Sequence, residues 1–199
     1  MDSNYIKATL FHYFRFQKQA HYIATECGAF NSDLLIGFKK DLIEVEIKTS
    51  IADFKNDFKK PKHEFYLENK ADSYMLESTY MKDASGNKIL GENGCWIKTG
   101  TKISTRYARS KPNLFLFAVP EELVDRVTPI LVSHYPKYGL LAIGEANFRR
   151  NDSAVRNVIR PKRLHTEELH QYVKDDIVAR MSSEIANLRI KQQRQMNEA

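Results

Sequence analysis

The sequence has few cysteines and no long hydrophobic run. Its two cysteines, Cys27 and Cys95, are far apart and have no metal-binding spacing, which argues against a disulfide scaffold and favours a reducing compartment. No apolar run approaches the roughly 18 residues that a membrane helix requires. The first residues do not read as a signal peptide, because no basic segment precedes a plain apolar stretch. We therefore expect a soluble cytoplasmic protein.

The composition is that of a folded, mildly basic chain. Of the 199 residues, 42% are hydrophobic and 11% aromatic, enough to bury a core in one domain. The formal charge is +6, from 31 basic and 25 acidic residues. This excess favours a polyanionic partner, although the place where the charge lies matters more than its total.

Alternating apolar runs and helical segments predict an α/β fold. We expect one mixed β-sheet flanked by helices, in a single domain that spans residues 1 to 199. Residues 80 to 111 are richer in glycine and polar residues, and we expect them to form an insertion or hairpin. Residues 164 to 190 predict a long C-terminal helix, whose apolar stripe is either core packing or the seam of a homodimer.

The stretch "SDLLIGFKKDLIEVEIKT" (32 to 49) predicts an antiparallel hairpin with its turn at Lys39 and Lys40. In that register paired positions sum to 79, so Asp33 lies opposite Glu46. Side chains alternate along a strand, so Glu44 and Lys48 share that face. The other face carries an unbroken apolar set: Leu34, Ile36, Ile43, Val45 and Ile47.

The grouped acids suit a hard divalent cation. Mg²⁺ takes oxygen ligands and commonly uses one or two carboxylates with water, so Asp33, Glu46 and the carbonyl of Ile47 are candidate ligands. Lys48 would then project beside the metal. The alternative is an ordinary solvated strand face, on which glutamate and lysine neighbours are common.

The acid, the hairpin and the "EIK" tripeptide resemble the signature of the PD-(D/E)xK nuclease superfamily. The run "VEIKTSIADFKNDFKKPKH" (45 to 63) is similar to the MmcB-like DNA-repair proteins and their phage relatives. The similarity continues in order at "KPNLFLFAVPEEL" (111 to 123), "YPKYGLLAIGE" (135 to 145) and "RPKRLHTEEL" (160 to 169). It thus covers roughly residues 10 to 170.

The resemblance implies a restriction-endonuclease-like core and a nuclease that uses Mg²⁺ or Mn²⁺. It implies Asp33 and Glu46 as metal ligands and Lys48 as the catalytic lysine. Glu26 and Glu44 are candidates for a second metal or for an outer shell of contacts. It favours DNA over RNA as substrate, in repair or phage DNA metabolism, and the host cytoplasm if the protein is phage-encoded.

The helix after the EIK strand also carries candidate residues. Ser50 is a natural N-cap, and Asp53 and Asp57 are interpreted as capping and structural residues. Lys59, Lys62 and His63 are expected near nucleic acid, with a hydrogen-bonded helix-end histidine as the alternative for His63.

Two basic segments supplement this helix. Residues 98 to 111 have no acid and contain Lys102, Arg106 and Arg109, with Trp96 beside them for base stacking. Residues 149 to 163 are a second basic segment, and ordinary solvated loops are the alternative for both. The rival to the nuclease function is a non-cleaving module that binds nucleic acid or a protein partner on a nuclease-like fold.

Overall fold

The computed structural model describes residues 1–27, 30, 32–68, 75–91, 93–104, 111–147, 152, 154–168 and 171–198. They form two compact units, the first made of residues 1–60 and 110–199 and the second of residues 61–109. The second unit contains most of the predicted insertion and begins before it.

The helices and strands follow one another in an α/β order. The helices are α1 (Ser3–His12), α2 (Ile51–Asp57), α3 (Lys62–Glu68), α4 (Val124–His134) and α5 (Gln171–Glu198). A π-helical turn (Tyr13–Gln17) continues α1, and a 3₁₀ turn (Glu121–Leu123) precedes α4. The strands are β1 (Tyr22–Cys27), β2 (Ser32–Gly37), β3 (Leu42–Ile47), β4 (Met75–Tyr80), β5 (Lys98–Ser104), β6 (Leu114–Pro120), β7 (Gly139–Ile143) and β8 (Val155–Ile159).

The first unit is built on a six-stranded mixed sheet in the order β1-β2-β3-β6-β7-β8. Strands β3, β6 and β7 are parallel, while β1, β2 and β8 add antiparallel pairs at the two sides. The predicted α/β class, with a mixed sheet, flanking helices and a long C-terminal helix, is confirmed. Strand β8 was not predicted, because Arg156 and Asn157 are exposed and its other three residues are only partly buried, which gives a weak apolar signal.

The β2–β3 hairpin has the predicted register. Leu34 lies opposite Val45 and Gly37 opposite Leu42, and the Phe38 N–H donates to the Asp41 carbonyl over 2.8 Å to close a two-residue loop. The same register places Asp33 opposite Glu46. The turn forms without an Asn-Gly pair because the pattern of apolar residues fixes which face is buried.

One face of the hairpin packs as expected against α1. Its five apolar side chains belong to a core cluster with Ile6, Leu10 and Phe14, and each such burial contributes about 1.5–3 kcal/mol. The alternative of a solvated polar face on the other side is wrong. Glu44, Glu46 and Lys48 are between 0% and 4% exposed there, because helices cover this face as well.

The structure gives the bounds of the two helices with sequence predictions. Helix α2 starts as expected at the Ser50 cap, where Ser50 Oγ accepts from the Asp53 N–H over 3.1 Å, and it ends at Asp57. Helix α5 begins at Gln171 and continues to Glu198, so it is shifted towards the C-terminus from the predicted 164–190.

The apolar stripe of α5 divides into two halves. Val173 and Ile177 are buried in a second core cluster, and Met181 packs against it. Beyond them Ile185 and Leu188 are 59% and 61% exposed. Core packing therefore explains the first half of the stripe and leaves the second half exposed. No described helix is long and apolar enough to cross a membrane.

The second unit contains α3 and a two-stranded antiparallel sheet made of β4 and β5. In this sheet Glu77 lies opposite Lys102 and Tyr80 opposite Lys98. In the chain that connects these two strands, isolated antiparallel bridges join Lys82 to Lys88 and Leu90 to Trp96.

Candidate metal and phosphate site

A polar cavity lies where β3 ends and α2 begins. Its volume is about 460 Å³. It is at the carboxyl end of a strand in a parallel part of the sheet, where open α/β sheets commonly bind ligands. The described residues that line it are Ser3, Glu26, Ser32, Asp33, Glu46, Ile47, Lys48, Thr49, Asp53 and Lys60. All three predicted catalytic residues are therefore in one cavity.

Asp33 reaches this cavity from β2. Its Oδ2 accepts the Ile47 N–H over 2.8 Å, which fixes the carboxylate beside the end of β3. Burial raises the pKa of Asp33, the Ile47 amide partly offsets this, and the nearby Glu46 charge raises the pKa further. Asp33 is thus a carboxylate whose negative charge is incompletely compensated by the protein, a setting that favours a cation.

Two carboxylates and two ammonium groups form a compact cluster at the base of the cavity. Lys48 Nζ lies 2.9 Å from Glu46 Oε2 and 2.6 Å from Asp57 Oδ1. Lys60 Nζ lies 3.2 Å from the same Glu46 oxygen and also pairs with Asp57 Oδ1. The two acids and Lys48 have side chains at most 5% exposed, whereas Lys60 is 35% exposed. Buried charges of this kind persist only when they are paired, as they are here.

Lys48 is held in its charged form by this cluster. Burial alone would lower the pKa of Lys48, but Glu46 and Asp57 outweigh that effect and raise the pKa well above its ordinary value. Lys48 therefore presents a fixed positive charge to the cavity and not a neutral amine.

Lys60 was not predicted from sequence, and Asp57 was interpreted only as a capping or structural residue. Asp57 does not cap α2, because its side chain is fully buried between the two lysines. The sequence does contain a signal for this. Asp57 comes three residues after the buried Phe54, so the two lie on the same face of the helix, and a carboxylate on a buried face needs a positively charged or hydrogen-bonding partner. Lys60 is three residues further along that face.

Glu26 lies at the rim of the cavity. Its Oε1 accepts from Lys7 Nζ over 2.8 Å, and Lys7 Nζ is 4.0 Å from Asp33 Oδ1. The hydrogen bond and charge of Lys7 lower the pKa of Glu26. Glu26 also has a φ of 48°, a left-handed conformation that is unfavourable for a residue with a Cβ. Lys7, on α1, thus links Glu26 to Asp33 and was not predicted from sequence.

Glu44 occupies a different environment from Glu46. It is fully buried and lies beside Phe115 in the β3–β6 register. Tyr138 is close enough that, after burial, the Glu44 charge is the next cause that raises the pKa of Tyr138. Glu44 is not among the described residues that line the cavity.

The donor chemistry of the cavity fits a hard divalent cation. Asp33 and Glu46 supply two carboxylates and Ile47 lines the same space, which suffices for a magnesium ion that keeps several waters. In the described part of the chain no group of three His, Cys, Asp or Glu side chains could hold a metal. Any metal here would therefore depend on two carboxylates, a carbonyl and water.

The residues predicted to contact nucleic acid fall in several places. Lys59 is exposed after α2, and its Nζ donates to Asn56 Oδ1 over 3.0 Å. Lys62 and His63 belong to α3 of the second unit, where His63 is buried and contacts the ring of Tyr66. Lys102 lies in β5, opposite Glu77. Arg106 and Arg109 lie outside the described residues.

Comparisons with known proteins add little to this geometry. No protein-family profile matches the sequence, and no solved structure matches it either. The chain is 34% identical over 76 residues to ATP-dependent 6-phosphofructokinase 1 from Arabidopsis thaliana. That match covers 34% of this chain and spans only 16% of the plant enzyme's length, so no family follows from it.

Proposed function

We propose that this protein is a metal-dependent nuclease that hydrolyses phosphodiester bonds in DNA, in repair or phage DNA metabolism. The observation that carries the proposal is that Asp33, Glu46 and Lys48 line one polar cavity at the carboxyl end of β3. Two acids and a lysine in this order on a hairpin are the arrangement that the resemblance to the PD-(D/E)xK superfamily implies.

Asp33, Glu46 and the carbonyl of Ile47 are the groups that would hold Mg²⁺ or Mn²⁺. The bound ion would supply Lewis-acid polarisation of a phosphoryl oxygen and a water of lowered pKa. The incompletely compensated charge of Asp33 supports this assignment, because a cation would relieve it.

The lysines contribute fixed positive charge. Glu46 and Asp57 hold the Lys48 ammonium in place at 2.9 and 2.6 Å, so little reorganisation is needed when negative charge develops on a phosphate. Preorganised charge in a partly buried site is an effective way to stabilise a transition state. Lys60 is more exposed on the same cavity, where its ammonium would contact a phosphate of the substrate.

A cleavage assay tests the proposal. Plasmid, linear, single-stranded and branched DNA, together with RNA, would be incubated with the protein in Mg²⁺ or Mn²⁺. We expect wild-type protein to cut DNA, and Glu46→Gln and Lys48→Ala to lose at least about 100-fold in rate, the scale of one lost charge-stabilising group.

The control is Lys40→Ala, which removes an exposed lysine from the turn at the opposite end of β3 and should cut normally. Equal cleavage by the wild type and Lys48→Ala would identify a contaminating nuclease and remove the support for this active site.

One observation favours a second candidate function, a nuclease-like fold that binds nucleic acid without cutting. Glu46 and Asp57 are already balanced by Lys48 and Lys60 without a metal ion. Calorimetric titration with Mn²⁺ separates the two functions. Binding that Asp33→Asn weakens supports the nuclease, whereas salt-dependent DNA binding with no response to the metal supports the binding module.

A further inference from the structure

The second unit carries an ordered arrangement of three short extended segments around residues 81, 89 and 97. The Met81 N–H donates to the Ile97 carbonyl over 2.9 Å, the Ile89 N–H to the Met81 carbonyl over 2.9 Å, and the Ile97 N–H to the Ile89 carbonyl over 3.0 Å. These three hydrogen bonds join each segment to the other two. The backbone hydrogen bonds therefore fix the positions from which the side chains of these segments project.

Two aromatic rings and a lysine converge on this arrangement. Lys88 Nζ lies 4.4 Å from the centroid of the Tyr80 ring and 6.0 Å from that of the Trp96 ring. One ammonium thus contacts both rings, which places all three side chains on the same side. Trp96 nevertheless remains 48% exposed, so a large aromatic surface faces solvent next to a positive charge.

Positive charge is concentrated in the same part of the chain. Residues 80 to 111 contain seven lysine or arginine residues and two acids, a net charge of +5. Lys82 and Lys98 are exposed and pair with Lys88 and Tyr80 respectively. The segment that presents the two rings is therefore strongly basic.

The pairing of Lys82 with Lys88 indicates that a ligand bound here would carry negative charge. Like charges directly opposite each other on neighbouring strands destabilise the pair. An anion bound between or beside the two ammonium groups would offset that repulsion. A polyanion that also has flat apolar faces would use the lysines and the rings together.

We propose that Tyr80, Lys88 and Trp96, flanked by Lys82 and Lys98, form a binding site for single-stranded nucleic acid. Unpaired bases stack on Trp96 while the lysines contact the phosphates, a combination used by sequence-tolerant single-strand binders. A duplex fits less well, because its bases hide their faces in the stack. The site lies outside the proposed catalytic cavity, so binding here does not require cleavage.

Trp96 is the only tryptophan in the chain, so its fluorescence reports on this site directly. The full-length protein would be titrated with an oligothymidine strand, and separately with heparin, in buffer that contains EDTA. We expect the DNA strand to quench the emission in a saturable way because bases stack on the indole. Heparin, a polyanion without bases, should bind without comparable quenching.

Variants then measure the contribution of each group, with labelled oligothymidine followed by anisotropy. Trp96→Ala should raise Kd by roughly 5- to 150-fold, the range expected when one stacked base is lost. Trp96→Phe should lose less, and it guards against a folding defect in the alanine variant. Lys88→Gln should reduce the magnitude of the slope of the logarithm of the binding constant against the logarithm of the salt concentration by about one, as expected when one phosphate contact is lost. Lys40→Gln should leave this slope unchanged.

Other outcomes would overturn the proposal. Binding without quenching, or equal quenching by heparin, would mean that charge alone acts. A blue shift of the Trp96 emission on addition of anionic phosphatidylserine vesicles, with no response to DNA, would mean that this site binds a membrane surface. No binding of any strand would remove the site altogether. Because EDTA is present throughout, each result is distinguishable from failure of the nuclease activity.

Discussion

Replacement of Asp57 by asparagine tests the charge cluster below the cavity. Asp57 is fully buried and pairs with both Lys48 and Lys60, while Glu46 contacts the same two ammonium groups. Asparagine has nearly the same shape but no charge. The variant would leave two ammonium groups to share one carboxylate, and Lys48 is only 5% exposed.

The expected cost follows from this geometry. Removal of one partner from a buried ion pair costs about 3–5 kcal/mol. The lower end applies because Glu46 still contacts both lysines, and because the one-third exposure of Lys60 lets water screen its share. A loss of about 3 kcal/mol corresponds to a fall in Tm of about 6–12 °C for a chain of this size.

The assay is urea unfolding followed by circular dichroism, with Asp53→Asn as the matched control. Asp53 lies one turn earlier on the same helix and is exposed, so its replacement should cost about 0.5 kcal/mol or less. A double variant adds Lys60→Gln to Asp57→Asn and restores one carboxylate to one ammonium. Its loss in free energy of unfolding should be about 1 kcal/mol smaller than the sum of the losses of the two single variants.

Free energies of unfolding within about 0.5 kcal/mol of each other for Asp57→Asn and Asp53→Asn would contradict this expected cost. That result would mean that Asp57 does not compensate a buried charge. Additive effects in the double variant would show, more narrowly, that Asp57 and Lys60 do not interact.

Two further predictions concern the same unit of the fold. Burial raises the pKa of Asp33 in the folded chain above the ordinary aspartate pKa of about 3.9. The folded chain therefore loses stability as the pH rises from the ordinary pKa through the higher pKa of the folded state. Asp33→Asn should therefore raise the urea midpoint of unfolding at pH 7 in EDTA, but it should not raise it at a pH below the ordinary aspartate pKa. A lowered midpoint at neutral pH would contradict this expectation. Ile177→Ala should cost about 2–5 kcal/mol because Ile177 is fully buried, while Ile185→Ala, at an exposed site, should stay within about 0.5 kcal/mol. A shift from dimer to monomer in sedimentation caused by Ile185→Ala would instead assign the outer half of α5 to the homodimer seam.

The hairpin register illustrates what local sequence pattern is able to predict. Alternation of apolar side chains from Leu34 to Ile47 left one pairing that places them all on one face, and a slip of one residue would have moved one strand's apolar side chains to the face that carries the charges. The opposition of Asp33 and Glu46 follows from that pairing. The start of α2 was equally predictable, because Ser50 caps it through a contact only three residues long.

The environment of the same acids was not predictable from pattern alone. Glu44, Glu46 and Lys48 have the spacing of a solvated strand face, yet all three are buried. Whether an alternating polar face meets water or another layer depends on what packs over it. That is settled by elements distant in sequence, such as α5, whose Val173 and Ile177 pack in one buried cluster with Leu35, the residue opposite Glu44.

Local sequence pattern predicts the α/β class, the hairpin with its register and the capped helix after it, and it singles out the candidates Asp33, Glu46 and Lys48. These follow from periodicity and capping, which act over a few residues. Only the tertiary structure placed Lys7 between Glu26 and Asp33, and Asp57 between Lys48 and Lys60. The physical reason is that a buried charge is tolerated only where the packed fold brings an opposite charge within a few ångströms.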